Sequence, residues 1–586
     1  MTSQVRMFTA ASLCLLVAFA ANAQRQPDTT TFIDGTLTVP DGFMLPRAAT
    51  PAEKAFANMI RPLRLAAPPT SPPLGPVFCP PEYAPTETIL IRWAATTSTV
   101  TPISIAGEWT KIQREMIKHI TTTGNANVVV FCVNSAGRTN ANSQLNAVGA
   151  DMSRVTLTIR NTDSIWIRDY GPRYIFEGDV RAIVDHTYNV PRPNDNALPA
   201  FHATNTKKPL YDIGLDHGGG NYHLSGLTDA YATKLITNEN PSLSEAQIIG
   251  RWLAFQNLDT HLFNPFSTIV DGTQHIDMWL QILDDRVAVV SQWPFKTHPL
   301  HTMSNNYNSL VQAASDICDA AAIYLANLGY TVIRTPARMA TDSFGDTSHY
   351  TYTNMVVCND LILLPFYNDS ALPTEFTASG GYNDQALAAI QSAFPAKTIV
   401  QIDCDELVWA SGVMHCIVKH VPVHRGATTP TAYLQQPAGP VTIPGATTGT
   451  VRWISDDDVS VTRVDLHLST DDGATYNRTI AQLQPANGSA NWPVPNVYTN
   501  RARIRVRAYD APGNIGVYES PVSFTINGLP LLGDLDLDVR VNLNDIDVFL
   551  PLFGQTGPGL LADLIADDTV NAADFALQLA QLGQFR

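Results

Sequence analysis

Thr88-Ile89-Leu90-Ile91-Arg92-Trp93, then Glu108 through Ile120, then Val128-Val129-Val130-Phe131 form a short apolar run, a helix-like stretch and a second short apolar run. Runs this short, β-branched and bounded by polar residues read as strands, while the longer stretch between them carries the spacing of a helix. The same alternation continues to about His424. It predicts an α/β domain over residues 82–425.

Outward from that domain the character of the chain changes in both directions. At the N-terminus, Arg6 precedes an apolar stretch from Met7 to Ala20 and the small-residue triplet Ala21-Asn22-Ala23. That pattern predicts a signal peptide over residues 1–23 and export to the periplasm, cell surface or medium. Residues 24–81 are rich in Pro, Thr and Ala, with Pro68, Pro69, Pro72, Pro73 and Pro76 close together. They read as a linker or pro-segment, interrupted by one short helix around Ala52 to Leu63.

Beyond the domain, residues 426–444 are again rich in Pro, Thr and Gly and read as a linker. Strands without helices follow over 445–528, among them Thr462 to Leu468 and Ala502 to Tyr509, with turns at Asp471-Asp472-Gly473 and Pro512-Gly513-Asn514. Their period-two patterning predicts an all-β sandwich of immunoglobulin or fibronectin III style.

Residues 531–586 carry two acidic loops. Asp534, Asp536, Asp538, Asn542 and Asp545 sit at positions 1, 3, 5, 9 and 12 of a calcium loop, and Asp563, Asp567, Asn571 and Asp574 repeat positions 1, 5, 9 and 12. Each is followed by an apolar helix. The pair resembles the duplicated repeat of type I dockerins, a small α domain that would hold Ca²⁺ and bind a cohesin-like partner. Val539 and Asp568 stand where the sharp turn favours glycine, and Ile565 replaces an oxygen ligand in the second loop. A pair of helices with acidic N-terminal ends is the plainer alternative.

Composition limits the partners. The chain has 586 residues and a formal net charge of −16. Nucleic acids and anionic membranes are polyanions and would be repelled. No later apolar run is long enough to span a bilayer. Once Cys14 leaves with the signal, Cys79, Cys132, Cys318, Cys358, Cys404 and Cys416 remain, without the Cys-x-x-Cys spacing of a zinc ribbon.

The chemistry-bearing residues lie in the α/β domain. Trp166-Ile167-Arg168-Asp169 is followed by Tyr170-Gly171-Pro172, whose Gly-Pro pair stops a helix and fixes a loop. His275 and Asp277 are two residues apart, so on an extended strand both would face one side. Cys416 ends Ser411-Gly412-Val413-Met414-His415-Cys416. Two carboxylates can grip the edge of a planar guanidinium while a thiolate approaches its central carbon and a histidine moves protons. Taken singly, each residue reads equally as a turn acid, a core histidine or a buried thiol. Together they point to hydrolysis of a guanidinium group.

The stretches Trp166 to Pro172, Gly218-Gly219-Gly220-Asn221, His275-Ile276-Asp277, Thr353-Asn354 and Met414-His415-Cys416 resemble, in order, the motif series of the Porphyromonas-type peptidylarginine deiminase family, which also contains the agmatine deiminases. The resemblance implies a five-bladed pseudosymmetric α/β propeller with the active site on its axis. It implies Cys416 as nucleophile, His275 as general acid and base, Asp169 and Asp277 as guanidinium ligands, Trp166 as pocket wall, and Asn354 and Asn221 as substrate-side residues. No cofactor is needed for the catalysis.

Two departures bear on substrate. Tyr188-Asn189-Val190-Pro191-Arg192-Pro193-Asn194-Asp195 keeps Arg192 of an expected arginine pair, with Val190 in place of the other, and Gly272 replaces a tyrosine three residues before His275. Arg192 reads either as a substrate-binding residue or as a surface cation. Arginine within a peptide or protein, giving citrulline and ammonia, is the substrate favoured by export. Agmatine, giving N-carbamoylputrescine, fits the core motifs equally, and a non-catalytic secreted scaffold protein is the reading from another class.

Overall fold

The computed structural model describes residues 26, 30–33, 35–40, 42–60, 68–293 and 305–585. The expected signal peptide lies outside the described residues. Among those residues no helix is long and apolar enough to cross a membrane.

The strand read from Ile89 to Trp93 is Thr86–Arg92, and Ile89, Leu90 and Ile91 are all fully buried. Burial of consecutive residues means that both faces are covered, as in a parallel strand under helices. The covering helix is Ile105–Thr122. The Ser104 side chain accepts from the Gly107 N–H at its start, and Trp109, Ile112, Met116, Ile117 and Ile120 form its buried stripe. Each such aliphatic side chain contributes roughly 1.5–3 kcal/mol. The chain returns as Asn127–Cys132, parallel to Thr86–Arg92, and Lys419–Pro422 pairs antiparallel with the other edge of Thr86–Arg92. The last strand of the α/β unit thus joins its first sheet.

The same strand, helix and parallel-strand crossover recurs in four further sheets. Val180–Tyr188 returns as Leu210–His217, Asp229–Thr233 as Asp259–Phe263, Val287–Gln292 as Thr331–Thr341, and Leu361–Phe366 as Thr398–Asp403. In each of these four an antiparallel strand precedes the first of the pair. The turns and loops between these sheets carry the residues of the site.

The C-terminal β region begins earlier than its sequence suggests. Thr431–Gln436, inside the stretch read as a linker, pairs with Thr448–Asp456, which pairs with Gly488–Pro493. The facing sheet is built on Tyr498–Tyr509, where Ala502, Ile504, Val506 and Ala508 point into the core while Arg503, Arg505 and Arg507 alternate on the other face. Val451, Trp453, Leu466 and Ile526 from both sheets share that core. Arg181 of the α/β unit donates to Asp456 at 2.6 Å across the junction, and both side chains are buried.

The tail folds as two short helices, Leu543–Phe549 and Ala572–Gln581, over Leu535, Phe549, Ala562 and Val570. The N-terminal segment is not an extended spacer. It forms a hairpin, Thr31–Ile33 with Thr36–Thr38, then a helix, Pro51–Ile60, with Phe32 stacked on Phe56 at 4.1 Å. Between hairpin and helix it enters the α/β unit.

Candidate active site

Asp169 sits on a single helical turn, Ile167–Tyr170, stopped at Gly171. Its Oδ1 accepts from the Gly220 N–H at 3.0 Å. His275 does not lie on a strand with Asp277, as the two-residue spacing suggested. It precedes a 3-10 turn, Ile276–Met278, and that turn rather than a pleat aims both side chains inward. Asn221 fixes the turn: its Oδ1 accepts from the Ile276 and Thr233 N–H groups at 3.2 and 2.9 Å. Asn221 is therefore committed to backbone and positions His275 and Asp277 from behind.

Cys416 lies on another 3-10 turn, His415–Ile417, and is fully buried. Asn354 holds it from one side, with its Oδ1 3.3 Å from Sγ and accepting from the His415 N–H at 3.1 Å. Its Nδ2 donates to the Asp277 carbonyl at 3.1 Å, which ties the cysteine turn to the aspartate turn.

At the centre of this set is a residue that the sequence reading did not single out. Arg47, from the N-terminal segment, is fully buried in the pocket. Its Nε and Nη2 donate to Asp169 Oδ2 and Oδ1, both at 2.9 Å. Its Nη1 and Nη2 donate to Asp277 Oδ1 and Oδ2 at 3.0 and 2.9 Å. Nη1 donates to Cys416 Sγ at 2.6 Å, and Nη2 lies 2.8 Å from His275 Nδ1. Both carboxylates thus grip the guanidinium through paired bonds, the geometry in which such pairs are strongest. A Cβ at Gly220 would strike Nη2 of Arg47 and come within 2.7 Å of both carboxylates, so the glycine run is the floor of the pocket.

Charge at the site follows from these contacts. Burial disfavours the Arg47 cation, but Asp169, Asp277 and Cys416 more than reverse this and hold its pKa well above the ordinary value. Burial pushes Asp169 up, and Arg47 with His275 overcomes it and holds the carboxyl well below its usual range. Asp277 behaves likewise, with burial opposed by Arg47 and His415. Burial pushes the Cys416 thiol well up, Arg47 pulls it down, and the two aspartates push it further up. A cation in the pocket is therefore what favours the thiolate.

The remaining expected residues are also accounted for. Trp166 is buried, and its Nε1 donates to the Leu45 carbonyl at 2.8 Å. Arg192 is not a surface cation. It is fully buried, donates to the Glu53 carboxylate from Nε and Nη2 at 2.7 and 3.0 Å, and donates from Nη2 to the Pro46 carbonyl at 2.8 Å. It grips the backbone beside Arg47. The Arg47 N–H donates to Ala410 O at 2.9 Å. Gly272 faces the next residue, since a Cβ there would meet the Ala48 Cβ at 3.1 Å. A cleft lined by Ala48, Asn189, Val190, Gly272 and His275 continues from that point.

His415, Glu82 and Arg168 form a relay that spacing alone did not assign. His415 Nδ1 lies 2.9 Å from Asp277 Oδ2, its Nε2 lies 2.7 Å from Glu82 Oε2, and Arg168 Nη1 donates to Glu82 Oε1 at 2.5 Å. Glu82, His223 and His415 bring ligand atoms within 4.8 Å of one another. Arg168 already neutralises the carboxylate and His415 is shared between two acids, so the set fits a hydrogen-bond relay rather than a metal. The signal available in sequence was the position of His415, next to the nucleophile.

In the tail, Asp534, Asp536 and Asp538 bring carboxylate oxygens within 4.8 Å of one another, as do Asp563, Asp567 and Asp574. Val539 and Asp568 adopt φ of 69° and 60°, the left-handed conformation for which glycine is the usual residue. Asn542 and Asn571 cap the following helices, and Asp545 and Asp574 complete capping boxes with them. All cysteines among the described residues are free and buried.

The profile of the Porphyromonas-type peptidyl-arginine deiminase family matches residues 78–422, more than half of the chain. A Streptomyces coelicolor protein provisionally named agmatine deiminase is 25% identical over 367 residues, covering 58% of this chain and 98% of its own. The agmatine deiminase of Ectopseudomonas mendocina is 22% identical over 326 residues, covering 51% and 84%. Among solved structures, a form of C. jejuni agmatine deiminase with substrate bound superposes with a TM-score of 0.48 at 18% identity, covering 60% of this chain and 97% of that one. The family match covers the strands and turns that carry Asp169, His275, Asp277 and Cys416, and the chain belongs to the Porphyromonas-type peptidyl-arginine deiminase family, hydrolases of the C–N bonds of guanidines.

Proposed function

We propose that this protein is an exported deiminase that converts arginine within a peptide to citrulline and ammonia. The observation that carries the reading is Arg47: a peptide-linked arginine whose guanidinium engages Asp169, Asp277, His275 and Cys416 together. A pocket with room for the chain on both sides of the arginine, at Pro46 and at Ala48, accepts an internal residue. Gly272 leaves that room where a tyrosine side chain would fill it.

The steps follow from the contacts. The substrate cation lowers the thiol pKa, and the Cys416 thiolate attacks the central carbon. Asp169 and Asp277 hold the three nitrogens and keep the plane fixed. The nitrogen beside His275 takes a proton from it and leaves as ammonia, giving an S-alkylthiouronium. A water, deprotonated by His275, then attacks the same carbon and frees the thiolate and the ureido product. His415 and Asn354 touch no substrate atom and position Asp277 and Cys416.

Agmatine is the second reading, favoured by the names of the relatives and by Arg192, whose charge is matched by Glu53 rather than left for a substrate carboxylate. Turnover of agmatine, free arginine and a blocked arginyl peptide by an Arg47→Ala enzyme separates the two. The peptide reading expects the blocked peptide to be the best substrate, and it fails if agmatine alone reacts.

The five sheets with their common crossover, the first closed by Lys419–Pro422, support a five-bladed propeller. The converging Asp534, Asp536 and Asp538 carboxylates support Ca²⁺ binding by a dockerin-like tail, and Asp563, Asp567 and Asp574 support it in the second loop. Such a tail would dock a cohesin-like partner. A purely structural, non-catalytic role is disfavoured by a site in which each acid, the histidine and the thiol meets the guanidinium.

A further inference from the structure

Arg47 is more than a probe of the pocket, because it is covalently part of the enzyme. Its contacts leave nothing out: both acids, the histidine and the thiol engage it as they would engage a substrate arriving from solution. The flanking chain is held as well. Trp166 donates to Leu45 O, Arg192 to Pro46 O, and the Arg47 N–H to Ala410 O. The helix Pro51–Ile60 is anchored by the fully buried Glu53 to Arg192 ion pair. While this arm is in place, no second guanidinium can enter.

We propose that Arg47 is a self-modification site: the enzyme deiminates its own arm in one intramolecular turnover, and that turnover opens the pocket. The inference rests on the deiminase reading above. In the first half, the Cys416 Sγ to Cζ bond forms and the Cζ to Nη2 bond breaks, with Nη2 leaving as ammonia on a proton from His275. In the second half, a water oxygen bonds to Cζ and the Cζ to Sγ bond breaks; one water proton returns to His275 and the other leaves with the ammonia as ammonium. The sum is the arginine cation plus water giving citrulline plus ammonium, with no oxidant or reductant.

The product no longer suits the site. Nη2 donates to Asp169 Oδ1 and Asp277 Oδ2, and in citrulline a carbonyl oxygen would take its place. Two donors become an acceptor facing two carboxylates, and the positive charge that paired with both acids is lost. The surface along Val190 and Gly272, which Ala48 of the arm now covers, is then free to take the chain of another peptide.

The test uses the full chain and peptide mapping by mass spectrometry. The wild-type protein is expected to carry citrulline at position 47. Cys416→Ala is expected to carry arginine there, and to keep it after incubation with an active Arg47→Ala enzyme. Citrulline appearing in the Cys416→Ala protein during that incubation would overturn the intramolecular step. Arginine at 47 in the wild type, while Arg47→Ala or Arg47→Gln turns over a blocked arginyl peptide, would overturn self-modification and leave the deiminase reading standing. No turnover of any guanidine by the wild type or by either variant, each checked for folding by its thermal melt, would overturn both.

Discussion

Arg192 and Glu53 form a fully buried ion pair between the α/β unit and the N-terminal helix, with Nε to Oε1 at 2.7 Å and neither side chain exposed. The arginine expected to meet a substrate instead closes the arm that carries Arg47. Removing one partner of a buried pair leaves the other uncompensated, a loss of about 3–5 kcal/mol. Glu53→Ala is expected to lower the thermal midpoint and expose the segment before Ile60 to limited proteolysis. An unchanged midpoint and unchanged cleavage would mean that the pair does not hold the arm.

Gly272 against Ala48 makes a prediction about substrate choice. A tyrosine at 272 would occupy the space used by the residue after the arginine. Gly272→Tyr, made together with Arg47→Ala, is expected to reduce kcat/KM for a blocked internal arginyl peptide by about tenfold or more, equivalent to about 1.4 kcal/mol. Agmatine, whose arm ends in an amine with no following residue, is expected to change less. Equal losses for both would remove Gly272 as the determinant.

His415 bridges Asp277 and Glu82 but does not touch the guanidinium. His415→Asn is expected to lower kcat with little change in KM, because small misplacement of a catalytic group can cost about 10²-fold. A rise in KM alone, with kcat unchanged, would place His415 in binding rather than in alignment.

The docked arm has a defined dependence on pH. Asp169 and Asp277 have folded-state pKa values held below their usual range by Arg47 and its neighbours, against the effect of burial. A depressed carboxylate contributes stability that is fully present above its unfolded pKa, about 3.9, and is lost as pH falls through the folded value. In a Cys416→Ala background, the difference in thermal midpoint between Arg47 and Arg47→Ala proteins is therefore expected to be flat from about pH 5 upward and to shrink only below about pH 4. A difference that disappears near neutrality would contradict the pairing.

For the tail, calorimetry with Ca²⁺ on the full chain is expected to show uptake from which Asp534→Ala with Asp536→Ala removes the first loop's share. Heat that is unchanged by those substitutions would assign the cation elsewhere.

Much of the candidate site was legible because each residue stands in a short, distinctive stretch: Asp169 before Gly171-Pro172, His275 two residues from Asp277, Cys416 after His415. Their meeting was not, since it depends on turns at the ends of different sheets. The strand expected for His275 and Asp277 is a 3-10 turn because Asn221, from another sheet connection, captures the Ile276 N–H. Arg47 was invisible to pattern for a different reason. Leu45-Pro46-Arg47-Ala48 has no periodicity, and its partner Cys416 lies 369 residues along the chain. Arg192 read as surface or ligand because its counter-charge, Glu53, lies in a segment that composition marked as a linker or pro-segment.

The central claim is that Cys416 attacks a peptide-linked guanidinium held by Asp169 and Asp277. Its most direct measurement is product formation from a blocked arginyl peptide by the Arg47→Ala enzyme with and without Cys416→Ala. The account predicts citrulline-containing peptide and ammonia in equal amounts from the former and neither from the latter. Turnover surviving the loss of the thiol would contradict it.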